Sequence, residues 1–322
     1  MTQRTFIRPL QGIIPPMITP LLGENELDIP GIENMVSHLL RGGVHGIFVL
    51  GTTGECTNIS YGLRRDLIRK TCEMVQGRVP VLVGITDTSV EESISLAQAA
   101  QAAGADAVVA APPYYFGLGQ PELEVYFRRL ADALPLPLFL YNMPSHTKTM
   151  ISQEVVMKLS EHDNIYGLKD SSANAVYFNS MVYALRNRSD FSLLVGPEEM
   201  MAASVLMGGH GGVSGGANMF PGLYVDLYQA AKDRDMEKVL ELQEMAMEIS
   251  ANIYNLGTYG SSYLKGLKAA VSSLGLCDGY VASPMESFPD DQKRMIAQKV
   301  RSLKAFKFYG AGAKNINPEY FK

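Results

Sequence analysis

Residues 137–149 read PLFLYNMPSHTKT. Pro137–Leu140 is short, apolar and bounded by polar or proline-containing text, the pattern of a strand buried on both faces. It runs directly into Tyr141, Asn142 and a proline. A phenol at the carboxyl end of a buried strand needs a polar partner, and that partner must come from elsewhere in the chain.

Seven further runs share this form: GIIPPMITPL, VHGIFVLGTTGE, VPVLVGITDTS, ADAVVAAPPYYF, NIYGLKDSS, SLLVGPEEM and GHGGVSGGANMFP. Helical text separates them. DIPGIENMVSHLLRGG places Ile32, Met35, Val36, Leu39 and Leu40 on one face and stops at Gly42–Gly43. SVEESISLAQAAQAAGAD opens on Ser89 with Glu92 three residues later, a capping box, and closes at Gly104. QPELEVYFRRLADALP carries Pro121 in its first turn and ends before Pro135. Eight strand–helix units predict an α/β protein with a (β/α)8 TIM barrel over residues 1–233. A doubly wound sheet is the competitor, but no G-x-G-x-x-G turn or P-loop follows any strand. Past residue 234 the text is purely helical, predicting a C-terminal helical region, 234–322, packed on the barrel or a neighbouring subunit. Its tail, GAGAKNINPEYFK, is expected to be loosely ordered.

With 47% apolar and 19% charged residues, the 322-residue chain can bury a large core. A net charge of −5 argues against nucleic acid or a membrane surface as partner. Cys56, Cys72 and Cys277 are far apart with no CxxC, so reduced thiols and a cytoplasmic location are expected. Pro15, Pro16 and Pro20 interrupt the apolar text near the start, which argues against a signal peptide. No apolar run reaches the ~18 residues of a membrane span. The five histidines lack ligand spacing, so no metal is expected.

In a barrel, chemistry gathers where strands end. Those positions hold Gly51 and Thr52–Glu55, Tyr114–Tyr115, Tyr141, Lys169–Ser172, Glu198–Glu199 and Ser214–Asn218. Lys169 directly follows the apolar run IYGL. Burial pushes a lysine towards its free amine, and a free amine attacks carbonyls to form a Schiff base. The alternative is a structural ion pair with Asp170. GTTGE offers two hydroxyls and several backbone N–H groups in a tight turn, a cradle for a carboxylate, or merely a strand-to-helix connection. A nucleophilic lysine, a phenol and a carboxylate cradle together describe an enzyme acting on 2-oxo acids.

GTTGE, PPYYF, YNMP, GLKD and GGVSGGAN, in this order, resemble the dihydrodipicolinate synthase and N-acetylneuraminate lyase family of pyruvate-dependent class I aldolases. The resemblance covers nearly the whole chain. It implies a barrel with C-terminal helices, a homotetramer, a small-molecule 2-oxo acid as partner, and no cofactor. It also implies Lys169 as the Schiff-base lysine, Tyr141 as phenolic proton shuttle and Thr52 as its relay. Thr53 would hold the substrate carboxylate through its backbone N–H, beside Gly51, and Val213 would offer a carbonyl. Tyr115 matches a tyrosine contributed across a subunit interface.

Two departures bear on the substrate. The synthases carry an arginine after YNxP that grips a second carboxylate, and this chain has His146. Imidazole cannot form the bidentate fork of arginine, although His146 could equally be an indifferent rim residue. Glu198 and Glu199 match acidic residues with which the sialate lyases bind sugar hydroxyls, while either could simply start a helix. Ser171, beside the lysine, adds a polar group at the same depth. These features favour cleavage, condensation or dehydration of a 2-oxo-3-deoxy sugar acid giving pyruvate. The alternatives are a dihydrodipicolinate synthase using aspartate semialdehyde and a non-catalytic 2-oxo acid binding protein.

Overall fold

The computed structural model describes residues 7–310; the tail expected to be loosely ordered lies, from residue 311, outside the described residues. Eight strands form one sheet: β1 (Gly12–Ile13), β2 (Ile47–Val49), β3 (Val81–Gly84), β4 (Ala107–Ala110), β5 (Leu138–Asn142), β6 (Ile165–Asp170), β7 (Ser192–Val195) and β8 (Gly211–Gly212). Every neighbouring pair is parallel, in the order β1, β8, β7 and so on down to β2. The chain just beyond β1 also reaches the opposite edge. Pro16 bridges Phe48, with Met17 N–H donating to the Phe48 carbonyl at 2.8 Å and Phe48 N–H to that of Pro15 at 2.9 Å. Helices alternate with the strands, giving a TIM-barrel-like α/β fold.

The helix signals act where the sequence places them. Asp28 caps the helix Ile29–Arg41 by accepting from Gly31 N–H, and Gly43 leaves it at φ +79°. Ser89 caps Val90–Ala103, which ends on left-handed Gly104. A short hairpin, Leu21–Gly23 with Glu26–Leu27, interrupts the first connection without any sequence cue noted above.

Side chains alternate between two cores, because successive strand residues face opposite ways. Inside the sheet lie Ile14, Phe48, Leu82, Ala107, Val109, Phe139, Tyr141 and Leu194. Between sheet and helices lie their alternates, including Val49, Val83, Val108, Leu138, Leu140, Leu168 and Leu193. At the bulge between β5 and β6, Leu138 pairs with Ile165 but Phe139 pairs with Gly167. Gly167 is required there, since a Cβ would lie 2.7 Å from the Phe139 ring.

Beyond residue 234 come the helices Met236–Ile249, Ser262–Ser273, Asp290–Ser302 and Lys304–Tyr309, with a π-helical turn at Ser250–Tyr254. Among the described residues, no helix is long and apolar enough to cross a membrane.

The loop after β2 rests on β3 at Gly84, where a Cβ would meet the Leu50 carbonyl oxygen at 1.9 Å. Backbone cannot yield as a flexible side chain can. Gly84→Ala is therefore expected to destabilise the protein by at least about 2 kcal/mol, read as a lower urea midpoint. An unchanged midpoint would contradict the packing.

Candidate active site

The carboxyl ends of the strands surround a cavity of about 720 Å³. Tyr141 and Lys169 are register partners on β5 and β6, and Lys169 also pairs with inward-facing Leu194. Parity therefore sends both side chains inward, where Lys169 Nζ lies 3.6 Å from the centre of the Tyr141 ring. Lys169 is 6% exposed, and its Nζ donates to Ser171 Oγ at 3.0 Å. Gly196 leaves room for that hydroxyl, since a Cβ there would sit 2.0 Å from Ser171 Oγ.

Parity also sends Asn142 and Asp170 to the opposite face. Asn142 Nδ2 donates to Asp170 Oδ1 at 2.8 Å, and the Ser172 hydroxyl donates to Oδ2 at 2.9 Å. The alternative pairing of Lys169 with Asp170 is thus not formed. Burial raises the Asp170 carboxyl above the usual range despite these hydrogen bonds.

The partner of Tyr141 is Thr52, with 3.1 Å between the hydroxyl oxygens. Thr52 stands in the turn after β2, bracketed by left-handed Leu50 (φ +57°) and Glu55 (φ +55°). Such conformations cost roughly 1–2 kcal/mol each for a residue with a Cβ. The turn's internal bonds run from the N–H groups of Gly54, Glu55 and Cys56. None among the described residues uses the N–H of Thr52 or Thr53. Gly51, Thr53, Ser171 and Val213 also border the cavity.

Tyr115 does not. It is 79% exposed, stacked edge-on against Phe116, and its neighbour Tyr114 borders the cavity instead. His146 sits at the rim within 3.0 Å of Ser145 Oγ. Partial burial, then Lys148 and Lys169, lower its pKa and favour neutral imidazole at pH 7.

The expectation that Glu198 presents its carboxylate to a substrate needs correction. Although it borders the cavity, Oε1 accepts from the Tyr224 and Tyr254 hydroxyls, both at 2.7 Å, and Oε2 from Gly216 N–H at 2.7 Å. A carboxylate only 4% exposed must be paired this way. Glu199 also borders the cavity, and its Oε1 accepts from Ser250 Oγ at 2.6 Å.

Tyr254 and Tyr263 were missed by the sequence reading. Both come from the C-terminal helices, border the cavity and pack edge-on, and the Tyr263 hydroxyl lies 3.3 Å from Thr53 Oγ1. Gly215 and Gly216 of GGVSGGAN make room for phenols. A Cβ on Gly215 would sit 1.8 Å from the Tyr263 hydroxyl, and one on Gly216 2.0 Å from that of Tyr224.

The sequence profile of the dihydrodipicolinate synthetase family matches residues 9–303, and the chain belongs to that family. It is 55% identical to a dihydrodipicolinate synthase from Bacteroides thetaiotaomicron, with a TM-score of 0.91, covering 92% of this chain and 100% of that one. It is 30% identical to YagE of Escherichia coli K12, a prophage protein of the same family solved in complex with pyruvate, with a TM-score of 0.87, covering 92% and 99%. It is 31% identical to the "Probable 2-dehydro-3-deoxy-D-pentonate aldolase YjhH" of E. coli K12, covering 89% of this chain and 95% of the relative.

Burial, opposed by the bonds from Gly216, Tyr224 and Tyr254, raises the Glu198 carboxyl to about 7. A raised carboxyl pKa means that the folded state binds a proton the unfolded state does not. The penalty for burying the charge is full above pH 7 and is relieved as pH falls towards 4.5. Wild type should therefore gain up to about 2 kcal/mol between pH 8 and pH 5.5 relative to Glu198→Gln, measured by urea unfolding. Parallel pH profiles for the two proteins would refute this.

Proposed function

We propose that the chain is a Schiff-base lyase of 2-oxo acids, cleaving a 2-oxo-3-deoxy sugar acid to pyruvate and an aldehyde, or joining them in reverse. The observation that carries this reading is the inward register pair of Tyr141 and Lys169, with Thr52 on the phenol. Lys169 Nζ attacks C2 of the 2-oxo acid, and loss of water gives the imine. Among the described residues no carboxylate pairs with that nitrogen. The N–H groups of Thr52 and Thr53, beside Gly51, receive the C1 carboxylate, and Val213, which also borders the cavity, offers its backbone carbonyl. Tyr141, relayed through Thr52, accepts the proton of the C4 hydroxyl as the C3–C4 bond breaks. The bonding electrons pass into the imine as an enamine. Protonation at C3 and hydrolysis then release pyruvate. Dehydration would use the same imine and enamine.

The lining of the cavity supports an uncharged, hydroxylated substrate tail. Lys169 is the one lysine or arginine among its described lining residues, and imine formation commits that nitrogen. Thr57, Asn58, Ser171, Glu199 and Ser261 offer polar groups along that lining. His146, neutral at the rim, lacks the fork for a second carboxylate. The rival reading, condensation of pyruvate with aspartate semialdehyde, is favoured by the name of the Bacteroides relative.

The finer architecture follows the same reading: a complete (β/α)8 barrel over 1–233 with a helical region over 234–322. The protein acts as a cytoplasmic homotetramer in which Tyr115, exposed beside Phe116, serves a neighbouring copy's cavity.

A panel of 2-oxo-3-deoxy sugar acids tests the substrate, with released pyruvate as the readout. Turnover of at least one is expected, with kcat/KM exceeding that for aspartate semialdehyde by about one to two decades, the worth of one charge-assisted bond. His146→Arg should narrow that gap. Efficient use of the semialdehyde with no sugar acid turned over would overturn the substrate assignment and leave the imine chemistry standing.

Tyr141→Phe isolates the proton relay. Loss of a general acid–base group costs about 10²–10⁴ in rate, so kcat should fall by that much while pyruvate still binds. Activity within a few-fold of wild type would refute the relay.

A further inference from the structure

The helix Ser262–Ser273 carries Lys268 into a place with no exposure at all, where it meets Glu55 of the GTTGE turn. Lys268 Nζ donates to Glu55 Oε2 at 2.6 Å and to the Thr19 carbonyl at 2.9 Å. The Thr19 hydroxyl in turn donates to the Gly54 carbonyl at 2.6 Å, and Ala282 N–H donates to Glu55 Oε1 at 2.8 Å. The bonds close a ring through Lys268, Thr19, Gly54 and Glu55. This ring grips the turn one residue beyond Thr53, and Lys268 itself does not border the cavity.

Buried ion pairs are weak sources of stability, because desolvating two charges offsets their attraction. Their well-attested use is to fix one arrangement among several, and here the arrangement fixed is that of the catalytic turn. Glu55 borders the cavity, holds a left-handed backbone that its side chain type does not favour, and delivers its carboxylate to Lys268. Thr52, three residues earlier, must keep its hydroxyl on Tyr141 while the substrate carboxylate sits against the same turn.

We propose that Lys268 is a positioning residue for the reaction: from the C-terminal helices, and through Glu55, it holds Thr52 against Tyr141. The inference rests on the Schiff-base reading of the site. Its consequence is a defect in proton transfer rather than in imine formation, because Lys169 stands on a different strand that the ring does not touch.

Exchange of the pyruvate methyl protons with deuterated water, followed by NMR, reads that proton transfer without a second substrate. Each exchange removes a C3 proton from the imine to give the enamine and returns a deuteron from solvent. Lys268→Met alone would strand a buried carboxylate, so the variant to use is Lys268→Met with Glu55→Gln, which leaves no unpaired charge. At saturating pyruvate, borohydride should trap it as fully as wild type, while exchange falls at least about tenfold. Thr19→Val removes one bond of the ring without changing charge, should give the same split, and decides the matter if the double variant does not fold. Exchange within threefold of wild type in a folded variant would overturn the proposal. No trapping of the wild type at Lys169 would instead defeat the Schiff-base reading, and this proposal with it.

Discussion

The site depends on one register: Tyr141 beside Lys169, and Asn142 beside Asp170, across β5 and β6. Side chains in a strand alternate with a period of two, so two adjacent dipeptides, YN and KD, are divided between two environments. The inner pair faces the cavity with no carboxylate on the lysine. The outer pair bonds to itself between sheet and helices, and a hydrogen bond to a charged group there is worth about 1.5–3 kcal/mol. A slip of one residue would exchange them, setting Asp170 in the cavity and burying the lysine among leucines. The outer bond between Asn142 and Asp170 thus secures the register that the inner chemistry uses.

Much of this was legible in the amino-acid sequence, for a physical reason. Fully buried strands are apolar until they end, so the first polar residues after each run mark the catalytic end of the sheet, and Lys169, Tyr141 and Thr52 all announce themselves this way. Composition does not report direction, however. The neighbouring tyrosines of PPYYF read alike, yet Tyr114 turns to the cavity and Tyr115 to the surface. Glu198 and Glu199 read alike too, and only the fold reveals that three donors take up Glu198.

The C-terminal helices were the least legible part, since their text is an ordinary amphipathic pattern. One signal was available. Leu264, Leu267 and Val271 lie on one apolar face, and Lys268 falls in the middle of it, which requires either a buried partner or a mistaken face. The partner, Glu55, is 213 residues away in sequence, and no local pattern points to it. Tyr254 and Tyr263 make these helices one wall of the site, reaching Glu198 and Thr53, while Lys268 pairs with Glu55 without bordering the cavity. The cavity is therefore completed by sequence lying beyond the last strand.

That Lys169 is the nucleophile is open to direct measurement. The protein is incubated with pyruvate and borohydride, digested, and its peptides are weighed. One reduced three-carbon adduct on the peptide containing Lys169, absent from Lys169→Ala, is the expected result. An adduct on a different lysine, or none from a protein that still turns over a 2-oxo acid, would contradict the assignment.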